Sequence, residues 1–199
     1  GLAFLSVPSE CDRLVYEFSK NPNTEYYFEI IQTISEMARK VKISDNLRDV
    51  NRNVTSDAIL IKKEESIAQI FYLLGDSEKG KYFNETVNAI ISLPRRTNDL
   101  SYNTAKILAD MYEKLDEREK IDVFPRFVAK IYEEYGSYER GNEFVQKILE
   151  PMTPDIKEKI FATLTEMFNS GVDSEQSQSI RYILWSDKFV NGLIDYVSK

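Results

Sequence analysis

Apolar residues in this chain recur at intervals of three and four with polar residues between them, the spacing of one face of an α-helix. The clearest run is Tyr27, Ile30, Ile31, Ile34, Met37, Ala38 and Val41, which predicts a helix over about 23–42. Before it, a helix over about 9–20 opens at Ser9, with Asp12 three residues on as an acidic form of the capping box, and stops ahead of Asn21-Pro22. Residues 43–56 are polar and Asn-rich, although Leu47, Val50 and Val54 share one helical face. They predict a loop or a short helix.

A further helix is expected from Asp57 to about Leu74, closed by Gly75, and another from Ser77 through Phe83, Val87, Ile90 and Ile91 to Pro94. Ala105, Leu108, Tyr112 and Leu115 mark the next, opening at Asn98 or Ser101. Asp116 with Glu119 restarts helix at once. Pro125 cannot donate to the carbonyl of Ile121, so a kink or break is expected near 123–125, after which Phe127, Val128, Ile131 and Tyr135 share a face up to Gly136. Phe144, Val145, Ile148 and Leu149 mark a helix over 138–150. Thr153-Pro154-Asp155 is a cap, a proline in the first helical position and an acid in the first turn, ahead of Ile156, Ile160, Phe161, Leu164, Met167 and Phe168. Gly171 closes that segment, and 174–197 forms one helix or two around Trp185.

Strand alternation is absent beyond a few residues, and no Asn-Gly or Asp-Gly pair occurs. The expected fold is all-α, with about nine helices in a single helical domain over 1–199. The stretch 43–56 is the best place for a weak internal boundary. Three runs, 105–112, 128–135 and 159–168, each join small and aliphatic residues to an aromatic just before a turn. The pairs 57–92, 98–136 and 138–170 come near the periods of about 34 to 47 residues found in helical-hairpin arrays. They carry no tetratricopeptide or ankyrin consensus. Stacked antiparallel hairpins, as in an α-solenoid, and a compact helical bundle are both compatible with this pattern.

At 199 residues and 42% hydrophobic content the chain can bury a core without disulfides or a structural metal. The net charge of −7 does not suit a nucleic-acid partner. Its basic residues, such as Lys62-Lys63 and Arg95-Arg96, are scattered among acids. No stretch approaches the roughly 18 apolar residues of a membrane span, so this segment is expected to be soluble. The chain begins at Gly1 without Met, which is compatible with an upstream signal or anchor and so with the soluble portion of a membrane-anchored protein. The myristoylation pattern fails at Leu5. A single cysteine, Cys11, placed in the first turn of the first helix, allows no intrachain disulfide and points to a reducing, cytoplasmic setting.

Histidine is absent, which removes Ser-His and Cys-His nucleophile pairs, the commonest zinc sets and helical di-iron motifs. No glycine is followed by Lys-Ser or Lys-Thr in a phosphate-binding loop. Acids such as Glu64-Glu65 and Glu113, Asp116 and Glu117 alternate with bases as on a solvated helix surface. Asp49 to Asp57 places oxygen ligands at calcium-loop spacing, but Val54 stands where glycine is needed and Leu60 where a glutamate should close the site. A polar interhelix loop or short helix accounts better for it. The sequons Asn53-Val54-Thr55 and Asn84-Glu85-Thr86 matter only in a secreted protein. These exclusions predict no catalytic, cofactor-binding or metal-binding residue.

Twelve tyrosines remain to be placed. Tyr26, Tyr27 and Phe28 are consecutive and cannot all face one core, and Tyr132, Tyr135 and Tyr138 gather around a helix end. Tyrosine offers large rigid contact area with a polar tip. The expected function is therefore a non-catalytic adaptor or scaffold domain that binds another protein through an aromatic-lined, acid-flanked groove, with Tyr26, Tyr132, Tyr135 and Tyr138 as interface candidates. The competing expectation is a bundle with a central pocket for a small apolar ligand or for carboxylate chemistry. Oligomeric state is not legible.

Overall fold

The computed structural model describes residues 7–37, 50–94, 101–134 and 138–169. Among them it contains eight α-helices, one 3₁₀ turn and no strand. The helices are α1 (Val7–Lys20), α2 (Tyr27–Glu36), α3 (Val50–Tyr72), α4 (Asp76–Ile91), α5 (Tyr102–Glu113), α6 (Glu117–Glu134), α7 (Tyr138–Leu149) and α8 (Pro154–Asn169), with the 3₁₀ turn Thr24–Tyr26 leading into α2. The all-α expectation is met. The expected helix over 174–197, the closing Gly171 and Tyr135 lie outside the described residues.

The chain divides into two compact units, Gly1–Arg96 with Tyr102–Met111, and Thr97–Ser101 with Tyr112–Lys199. In the first, α3 is the central helix: α1, α2 and α4 pack on it, and Thr104 of α5 reaches its Glu64. Between Lys63 and Phe71 only Glu65 and Gln69 face solvent. A helix covered on nearly every side is what a bundle builds around, and α1 packs chiefly on α3 rather than on its sequence neighbour. In the second unit α6 packs against α7 and α8. Tyr112 stacks on Phe127 with ring centres 5.3 Å apart, and Phe127 meets Phe144 edge-on at 5.9 Å.

The stripes read from sequence are the buried ones. Tyr27, Ile31 and Ile34 of α2 are buried, as are Phe83, Val87, Ile90 and Ile91 of α4 and Ile156, Ile160 and Leu164 of α8. The cap of α6 forms in both directions: Glu119 N–H donates to Asp116 Oδ1 at 2.7 Å, and Asp116 N–H to Glu119 Oε2 at 3.0 Å. Each bond satisfies an amide that the first helical turn leaves without an intrahelical partner.

Four expectations are corrected. The first helix begins at Val7, not Ser9, with Pro8 inside its first turn, where a missing N–H costs nothing; Cys11 therefore lies in the second turn. Residues 50–56 are the start of α3 rather than a loop, so Asn51 to Asp57 of the calcium-loop spacing sit on helical backbone, and 43–49 lie outside the described residues. The expected helix over 23–42 begins with the 3₁₀ turn, opened by Asn23, whose side chain accepts from Glu25 N–H at 2.9 Å. Pro125 does not break α6, which runs unbroken through it. An interior proline costs about 3 kcal/mol, and each large apolar side chain buried recovers about 1.5–3 kcal/mol. Val123, Phe124, Phe127 and Val128 around it are all buried, which is enough to hold the helix together.

Candidate interaction groove

The local sequence of α2 decides which ring goes inside. Tyr27 continues the Ile31 and Ile34 stripe at spacings of four and three and is fully buried, whereas Phe28, one step of 100° around the helix, falls at its edge and is 46% exposed. Tyr27 lies among Tyr82 at 5.0 Å, Phe28 at 5.5 Å and Phe18 at 6.1 Å between ring centres. Phe28 rests on Tyr82 at 5.2 Å. Its orientation is thus held from below while half of its surface meets solvent. The Tyr27 hydroxyl lies 2.6 Å from Thr86 Oγ1, and burial pushes its phenol well above the usual tyrosine range.

Opposite Phe28 stands the end of α4. Ser92 N–H donates to Asn88 O at 2.9 Å and Leu93 N–H to Ile90 O at 3.2 Å, and Pro94 then prevents the helix from continuing. Between α2 and this end runs an open groove of about 380 Å³. Phe28, Ile31, Ala89 and Leu93 form its apolar floor, and Gln32, Ser35, Glu36 and Ser92 are the polar residues lining it. Gln32 Nε2 donates to Glu36 Oε1 at 3.0 Å, and the Ser35 hydroxyl turns back to Ile31 O at 2.9 Å.

The polar interior of the first unit is a separate feature. Lys63 and Glu64, adjacent on α3, are 2% and 0% exposed. Lys63 Nζ donates to Ser35 O at 2.6 Å, placing an ammonium on the C-terminal carbonyls of α2, where a cation is favoured. Thr104 Oγ1 donates to Glu64 Oε1 at 2.7 Å. Glu64 does not line the groove. Cys11 is buried with its Sγ 3.9 Å from Met37 Sδ; burial pushes its thiol up against the opposing pull of Lys63 and Lys62. A raised thiol is a poor nucleophile at neutral pH. Among the described residues no three His, Cys, Asp or Glu side chains come together as metal ligands, and no helix is long and apolar enough to cross a membrane.

Of the four tyrosines expected at an interface, Tyr26 and Tyr132 have described side chains. Tyr26 is 55% exposed in the 3₁₀ turn but does not line the groove. Tyr132 belongs to the second unit and serves its interior contacts: its hydroxyl donates to Asn142 Oδ1, and its ring covers Gly141 closely enough that an added Cβ would come within 2.6 Å. Tyr138 opens α7, with its side chain outside the described part, and Tyr135 lies outside it altogether. Both sequons are helical, and Thr86 of the second is fully buried.

Phe28, Ile31, Gln32, Glu36 and Leu93 are the site residues that reasoning from sequence did not single out. The signal for Phe28 was present in the run Tyr26-Tyr27-Phe28, of which only one ring can follow the buried stripe. Nothing local joins it to Leu93. No known protein family, curated protein or solved structure matches this chain. The geometry of the groove is therefore what speaks for its use.

Proposed function

We propose that the protein is a non-catalytic helical adaptor domain that binds another protein through the groove between α2 and the end of α4. The observation that carries this reading is Phe28: a large ring, fixed from beneath by Tyr82 yet 46% exposed on the floor of an apolar groove. Rigid, partly exposed aromatic anchors are the residues from which interfaces draw most of their binding energy. A polar rim of Gln32, Ser35, Glu36 and Ser92 around that floor has the layout of an interface, apolar at the centre and wet at the edge. A cytoplasmic setting goes with the reading, supported by a lone, buried thiol.

A photo-crosslinking side chain at Gln32, exposed on the groove, tests it. The expected result is a discrete adduct with another polypeptide that disappears when Phe28→Ala is added, while the circular dichroism spectrum is unchanged. An adduct pattern identical with and without Phe28→Ala refutes the proposal.

A further inference from the structure

The α2 wall of the groove has the form of a coiled-coil hole with no knob in it. Phe28, Ile31, Gln32 and Ser35 stand at i, i+3, i+4 and i+7 of one helix, the four positions that close around a single side chain when two helices interdigitate. The helix that faces them is α4, which meets α2 along a row spaced four, three and four residues apart, Tyr82, Thr86, Ala89 and, just past its end, Leu93. The first two positions fill the seam. Tyr82 lies 5.0 Å from Tyr27 and 5.2 Å from Phe28 between ring centres, and Thr86 Oγ1 lies 2.6 Å from the Tyr27 hydroxyl. The third position carries only a methyl group: Ala89 is half-buried and lines the groove, and Ser35 and Ser92, which also line it, are short as well.

We infer that Ala89 is the specificity-determining residue of the groove: by leaving the hole open it admits one large apolar side chain, of Leu, Met or Phe size, from a helical segment of the bound protein. This rests on the interaction reading above and adds the chemistry of what is bound. Such a side chain comes against Phe28, Ile31 and Leu93 and takes the exposed part of the Phe28 ring out of water. A partner with alanine at that point leaves those contacts unmade, and burying a side chain of Leu size contributes about tenfold or more in affinity. Ala89→Leu supplies the missing side chain from α4 itself. It closes the groove and covers Phe28 within the chain, so it removes binding while leaving the fold at least as stable, which a damaged fold would not do.

The test uses the full chain and two synthetic amphipathic helical peptides that differ at one central position, Leu in one and Ala in the other, titrated calorimetrically. The expected result is about tenfold or greater preference of the wild-type chain for the Leu peptide, falling to about threefold or less with Ala89→Leu. Ala89→Ser, which keeps the position small, retains the preference. Hydrogen exchange of α2 and α4 amides in Ala89→Leu is as slow as in the wild type or slower. Where it is faster, Ala89→Met, longer and more pliable, is the second variant, and an undiminished preference in it overturns the inference. Equal binding of both peptides by the wild-type chain, or a preference unchanged by Ala89→Leu, overturns the role of Ala89 and leaves the groove reading standing so long as Phe28→Ala abolishes binding. Absence of binding, or binding indifferent to Phe28→Ala, overturns both.

Discussion

Thr86→Val should destabilise the first unit more than Tyr27→Phe, although Tyr27 is by far the larger side chain. Thr86 Oγ1 lies 2.6 Å from Tyr82 O, a carbonyl that can only accept, so the one hydroxyl proton of Thr86 is committed there. In the 2.6 Å contact between Tyr27 and Thr86 the phenol is therefore the donor. Both residues are fully buried, out of contact with bulk solvent that could replace a lost partner. Tyr27→Phe removes the donor and leaves Thr86 still bonded to Tyr82, at about 0.5–1.5 kcal/mol. Thr86→Val keeps the shape but strands the phenolic O–H in the core, at about 1–3 kcal/mol. The Tyr82 carbonyl retains its place in the helical ladder in either case. The double variant strands nothing, so its cost should fall to about 1 kcal/mol or less, well below the sum of the singles. Hydrogen exchange of α2 and α4 amides is the suitable assay, because a chain with two units need not unfold in one step. Additive costs, or Thr86→Val no worse than Tyr27→Phe, would refute the assignment of donor and acceptor.

Burial raises the phenols of both Tyr27 and Tyr112, so each stays protonated in the folded chain after its unfolded counterpart has ionised. The stability they help maintain is complete below about pH 10 and should then fall by about 1.4 kcal/mol per pH unit for each of the two, a slope that Tyr27→Phe and Tyr112→Phe each reduce by one proton in urea titrations. Gly141→Ala places a Cβ 2.6 Å from the Tyr132 ring and should cost the second unit about 1–3 kcal/mol in thermal unfolding, largely recovered by adding Tyr132→Leu; a neutral Gly141→Ala would show that α6 and α7 are not in close contact there. Cys11, buried with a raised thiol, should react with a disulfide reagent at least about a hundredfold more slowly in the native chain than in denaturant at the same pH, and comparable rates would place it at the surface.

The features that depend on residues a few positions apart were readable in advance. The Tyr27–Ile31–Ile34 stripe, the reciprocal Asp116 and Glu119 cap, and the start of α8 at Pro154 behind Thr153 all formed where spacing and capping chemistry place them. The start of α3 was not readable because residues 50–57 are polar and carry no strong stripe; once the helix is nucleated further on, extending it backwards adds a hydrogen bond for each residue at little cost. The continuity of α6 through Pro125 depends on how deeply the flanking residues are buried, which periodicity does not measure. Lys63 and Glu64 look no different in sequence from Lys62 and Glu65. Their partners, Ser35 and Thr104, stand 28 and 40 residues away, and only the packing of α2 and α5 on α3 separates the inner pair from the outer one. The groove has the same origin, since Phe28 and Leu93 meet through tertiary packing alone.

That inner pair constrains more than two hydrogen bonds. A helix wrapped in aliphatic neighbours can turn about its axis or slide by a residue and find almost equivalent contacts, which leaves its orientation poorly determined. Consecutive residues on α3 point about 100° apart, and here one must meet the end of α2 while the next meets the start of α5. A turn by one residue would swing the ammonium and the carboxylate into surroundings built for neither, so that among the ways α3 could be seated within its ring of neighbours a single azimuth is selected.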